Sequence, residues 1–181
     1  VLSDRGVDAA HAAIPSLLAI AGLHHALIRT GKRMRAGLVV ESGEPREVAD
    51  LALLVGYGAA AVNPYLALEL AQSLSPDDPA HGVENYKKAL KKGLLKIMAK
   101  MGISTFSSYQ GSQIFEAIGI SESAIERYFT GTASSVGGIG LPEIAVEAYA
   151  RHAAAFSGDA LDEDPSNRPE NLLPSSGHYA W

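Results

Sequence analysis

Glu41-Ser42-Gly43-Glu44 is the stretch whose residue types and spacing come nearest to chemistry. It follows the apolar run Gly37-Leu38-Val39-Val40, which reads as a buried strand, and it precedes a helical stretch. Ligands of α/β folds bind at that place, because the free N–H groups of the loop and of the helix start attract anions. Ser42 and Gly43 are therefore the candidate anion-binding residues, suited to a phosphorylated small molecule. Glu41 and Glu44 could pair as carboxylates, with Arg46 beside them. The plainer alternative is that Ser42, Gly43 and Glu44 only cap and turn the chain, as βα loops must.

Other patterns carry less. Gly56-Tyr57-Gly58-Ala59-Ala60-Ala61 fits G-x-G-x-x-A, but its glycines end a helix and precede a strand. A dinucleotide fingerprint needs the reverse order, so that a phosphate meets a helix N-terminus. His24 and His25 are adjacent and diverge by roughly 100° on a helix, so they cannot share one metal from it. Gly137-Gly138-Ile139-Gly140 reads as an anion nest or a plain flexible connection. Lys88, Lys92 and Lys96 recur every four residues with Lys91 nearby. They suit an anionic surface or an acidic partner, or simply form a solvated face opposite Leu90, Leu94 and Ile97. No residue is assigned a catalytic, cofactor-binding or metal-binding role.

The chain has 181 residues, 47% apolar, with no cysteine and a net charge of −5. One domain, or one domain plus a tail, fits this length. Without cysteine there is no disulfide, thiolate metal site or cysteine nucleophile in these residues. No run of about 18 apolar residues and no secretory pattern is present, so no membrane contact and a cytoplasmic location are expected. Acidity argues against nucleic-acid binding, which needs a basic face. The charge is uneven: residues 84–100 hold six lysines and one glutamate, whereas 121–181 hold three basic and nine acidic groups. A start at Val1, with no Met, reads as a fragment or a processed product.

Elements that position these residues follow from periodicity and punctuation. Val1–Ser3 reads as a strand end and residues 4–14 as a loop. A helix begins at Pro15, with Leu17, Leu18, Ala21, His25 and Ile28 on one face, and stops at Gly31. After the strand at 37–40, a helix carries Val48, Leu51, Ala52 and Val55, and a third strand spans 59–62. Pro64 opens a helix to about residue 74; residues 75–82 read as loop, 83–100 as a strong helix and 102–106 as β-prone. A short helix over 113–118, a capped one near Ser121 or Ser123, a glycine-rich turn over 134–140 and a helix over 141–156 complete the fold. About four short parallel strands alternate with helices, giving an α/β fold with a partial barrel-like or open sheet. From residue 157 the composition becomes polar and acidic, as in a C-terminal tail.

Several long words then come in a distinctive order: Gly37-Leu38-Val39-Val40-Glu41-Ser42-Gly43-Glu44-Pro45-Arg46-Glu47-Val48, Val62-Asn63-Pro64-Tyr65-Leu66-Ala67, Lys100-Met101-Gly102-Ile103-Ser104-Thr105, Gln113-Ile114-Phe115-Glu116-Ala117 and Tyr128-Phe129-Thr130-Gly131-Thr132. With them the chain resembles the large subunit of glutamate synthase, over residues 1–156 and more weakly beyond. The resemblance implies the later part of that family's central α/β domain, with 157–181 leading toward the flavin domain. It further implies a parent enzyme that makes L-glutamate from L-glutamine and 2-oxoglutarate with a reductant. That parent would have a glutaminase domain, an FMN domain and a 3Fe–4S cluster, none of them in this chain. The segment would be a non-catalytic scaffold whose partners are those domains, and exposed apolar edges would favour self-association. A free-standing module that binds a phosphorylated ligand at Ser42-Gly43 is the alternative. The chain departs from the family pattern at Ala49-Asp50, where His-His is usual, and at Ser135, where Arg is usual.

Overall fold

Pro15 has no N–H to leave unsatisfied, and helix α1 (Ser16–Arg29) starts directly after it. It ends where Gly31 takes φ +66° and the N–H groups of Gly31 and Lys32 return to the carbonyls of Ile28 and Leu27. That pair of bonds is a Schellman cap. Strands β1 (Leu2–Ser3), β2 (Val39–Glu41) and β3 (Ala61–Asn63) form a parallel sheet in that order. Leu2 lies opposite Val40, Ser3 opposite Glu41, and Glu41 opposite Asn63. Helix α2 (Val48–Gly56) connects β2 to β3. The computed structural model describes residues 1–156, so the expected tail at 157–181 lies outside the described residues.

Two apolar clusters hold this part. One joins Ile20, Ala21, Val40, Leu54 and Tyr57, and the other joins Ala52, Val55, Met98 and Tyr109. Phe115 packs against both. The second cluster is closed by α4 (Pro79–Lys100), which follows α3 (Tyr65–Ser73). The loop before α4 is shorter than expected, since Asp78 accepts from the N–H of His81 and Pro79 occupies the first turn. On α1 the buried face is Ile20, Ala21, His24 and His25, and Ile28 is exposed.

The later chain differs from expectation in three places. Residues 102–106 are not a strand, and α5 (Phe106–Tyr109) is a single helical turn. The expected helix over 113–118 is instead strand β4 (Glu116–Ile120), because Gly111 at φ +76° and Gln113 at φ +51° break any helix there. The expected turn over 134–140 is strand β5 (Ala133–Ile139), paired parallel to β4 across α6 (Glu122–Tyr128). Gly138 permits the pairing, since a Cβ on it would lie 2.3 Å from the carbonyl oxygen of Gly119. Ser121, not Ser123, holds the N-cap position of α6. Helix α7 (Leu141–Phe156) follows. The fold is mixed α/β with short parallel strands, and both sheets are open rather than closed into a barrel. No helix among the described residues is long and apolar enough to cross a membrane.

Candidate functional site

Parallel register places Asp4 immediately beyond the Ser3–Glu41 pair, beside the loop that leaves β2. The Ser42 hydroxyl donates to Asp4 Oδ2 at 2.5 Å, and the Gly43 N–H donates to both carboxylate oxygens at 3.1 and 3.2 Å. Ser42 is 2% exposed, and its oxygen also accepts from the Glu44 N–H. The position where an anion would sit on this loop is thus taken by a carboxylate of the same chain.

Glu41 and Glu44 do not pair. Glu41 accepts from Arg5 Nε and Ser3 Oγ, both at 2.8 Å, and from Asn63 Nδ2 at 3.1 Å. The Arg5 bond, then the Ser3 bond, hold its carboxyl below the usual carboxylate range. Arg5 also stacks 4.1 Å from the Tyr65 ring centroid. Glu44 turns the other way and accepts from the Ser16 N–H at 2.7 Å, where it neutralises the start of α1. A cavity of about 370 Å³ lies beside this edge and includes Ser3, Asp4, His11, Glu41 and Ser42 in its wall.

The G-x-G-x-x-A segment serves another purpose. Gly58 takes φ +110°, and the N–H groups of Gly58 and Ala59 cap α2 by bonding the carbonyls of Val55 and Leu54. A Cβ on Gly58 would meet His24 Nδ1 at 2.3 Å. Arg33 Nε donates to that same Nδ1 at 2.9 Å, and another Arg33 nitrogen donates to the Gly58 carbonyl. Burial first, then Arg33 and His25, lower His24 from its ordinary value to about 4, so it is the neutral acceptor. His25 faces Gln113 at 2.6 Å and is also lowered, by burial and then Arg29. The loop over 110–113 closes onto the end of α2: Gly111 N–H to Val55, Gln113 N–H to Gly56 and Gln110 Nε2 to Gly58. Tyr57 completes the junction, with its hydroxyl 2.8 Å from Thr132 Oγ1 in a buried contact and burial raising its pKa.

Two positions expected to depart from the pattern of the resembled family, Asp50 and Ser135, also have partners. Asp50 accepts from the N–H groups of Arg46 and Glu47 at the start of α2. Ser135 donates to Glu116 across β4 and β5 at 2.5 Å. On α4, Lys88 pairs with Glu84 at 3.0 Å, and Lys92 and Lys96 are exposed. No group of three His, Asp or Glu among the described residues is placed to hold a metal.

Asp4 and His24 were not legible as site residues. Asp4 carries a signal only once β1 and β2 are set in register, and His24 only once Gly58 is seen to need a residue packed over it.

Residues 1–121 match the family model described as the glutamate synthase central domain. The chain is 48% identical to the glutamate synthase [NADPH] large chain of Bacillus subtilis over 88% of its own length and 11% of that protein. It is 42% identical to the glutamate synthase [NADH] of Schizosaccharomyces pombe, over 88% of this chain and 8% of the relative. The ferredoxin-dependent glutamate synthase of Pyropia yezoensis is 40% identical over 87% of this chain and 11% of that protein. The chain therefore spans roughly a tenth of the length of these relatives, and relatives named for three different electron donors share it.

Proposed function

The chain belongs to the glutamate synthase central domain family, and from that premise we propose that it is a scaffold segment of a glutamate synthase, with no turnover of its own. Residues 1–156 serve as the later part of the central domain, and 157–181 as a connection toward an FMN domain. The parent makes L-glutamate from L-glutamine and 2-oxoglutarate with a reductant, in the cytoplasm. Its glutaminase and FMN domains are the partners of this segment. FMN and a 3Fe–4S cluster would belong to the parent and not to these residues, since a sequence without cysteine offers a cluster no thiolate.

One observation carries this reading. The loop best placed to bind an anionic ligand, Ser42-Gly43, already holds the carboxylate of Asp4. Groups at the carboxyl edge of the sheet are spent on each other, as a support requires and an empty ligand site does not. Ser42 and Gly43 are thus an anion-binding loop whose anion is internal.

Purified chain should retain no FMN and release no glutamate from glutamine. Bound FMN near one equivalent would overturn the assignment. A thermal-shift screen with inorganic phosphate and nucleotides should be flat. Specific stabilisation that disappears in Ser42→Ala would instead favour a ligand-binding module.

A further inference from the structure

A larger cavity, of about 660 Å³, runs along α4 where it crosses α3 and the end of β3. Its wall includes Leu68, Leu90, Leu94, Leu95, Met98 and Phe106. Leu95 and Phe106 remain 52% and 43% exposed, so apolar surface is left to water at the mouth. Lys87 and Lys91 also line it, and no acidic side chain among the described residues does. Among the described residues neither lysine has a carboxylate within salt-bridge distance. The lysines that stand out by spacing, Lys88, Lys92 and Lys96, are not among its lining residues. Lys87, Lys91, Leu94 and Met98 follow helical spacing along one face of α4, so the groove runs for about 16 Å, or three turns.

An apolar floor of that length accepts the ridge of another helix, with anchors at i, i+3, i+4 and i+7. Two unpaired cations select carboxylates on the flank of that helix. A polynucleotide is a poorer match, because among the described residues the lining holds no arginine and the phenylalanine is its one aromatic. We propose that the α3–α4 groove docks a partner helix that is apolar on one face and acidic along its flank.

The test uses the full chain and a labelled peptide of about 14 residues, long enough for four turns. The peptide carries leucines at the anchor positions and glutamates beside them, and binding is read by fluorescence anisotropy. Saturable binding should weaken by at least about tenfold in the Lys87→Glu, Lys91→Glu double variant and in Leu95→Asp, and by less than about twofold in Lys92→Glu, Lys96→Glu. All four positions bearing charge are exposed, and melting curves check that each variant keeps its fold. The proposal is overturned by any of four results: no saturable binding, equal binding of the same peptide with lysine for glutamate, indifference to the Lys87/Lys91 reversal, or preference for phosphatidylserine-containing vesicles over the peptide.

Discussion

The two parallel sheets among the described residues are built alike and covered differently. In β1–β2–β3 the central Val40 is 1% exposed, with α1 and α2 supplying Ile20 and Leu54 to the same cluster. In β4–β5 the strands leave Ile118 70% and Val136 52% exposed, and α7 buries none of its residues. Parallel strands are ordinarily covered on both faces, because their crossovers place helices there. The first sheet has its Val40 side covered from within the chain by α1 and α2. Helix α6 touches β4 but packs chiefly against α1, and its Ala124 and Ile125 are buried. The lesson is that parallel pairing can be locally encoded, by Gly138 lying against Gly119, while its burial is not.

The sharpest way to break the first region is Gly58→Ala. The new methyl meets His24 in a left-handed backbone position, and a loss of about 3–5 kcal/mol is expected. Denaturant melts should show it as global unfolding, since this turn joins both halves. Gly138→Ala should cost about 2–3 kcal/mol, through strain against the Gly119 backbone. Hydrogen exchange should then show protection lost over 116–139 and kept over 39–63. Equal loss in both windows would erase the distinction between the sheets.

Acid provides a gentler contrast. His24 is lowered in the folded chain from 6.5 to about 4, so the unfolded chain binds its proton first. Stability is full above pH about 6.5 and falls as pH drops toward about 4, by a total on the order of 3 kcal/mol. Glu41, also lowered, adds a further loss only below its ordinary value of 4.5. His24→Asn should flatten the upper part of that slope, as read by urea midpoints between pH 7 and 5. The smallest effect is expected from Val136→Ala, within about 0.5 kcal/mol, because the side chain is half in water.

Legibility in the sequence followed the range of the forces involved. Strand β2, the Pro64 start of α3 and most of α4 could be read, because apolar periodicity and caps are local. The segment over 113–118 misleads because Gln, Glu and Ala favour a helix, whereas Gln113 at φ +51° breaks one and a strand follows. The glycines over 137–140 suggest a turn and become a strand only against a neighbour. Ser42-Gly43 is recognisable as an anion loop by its chemistry, but its anion comes from 38 residues upstream.

The junction at the end of α2 also dictates an order of events during synthesis. Asp4 meets Ser42 across 38 residues, and Asn63 meets Glu41 across 22, so these contacts are available once residue 63 has emerged. Gln110 reaches Gly58 across 52 residues, and Thr132 reaches Tyr57 across 75. Until those partners leave the ribosome, the carbonyl of Gly56 lacks the bond it later accepts from Gln113, and that of Gly58 has Arg33 without Gln110. The nascent chain can therefore assemble its first sheet early and must hold the far end of α2 open until the second half arrives to seal it.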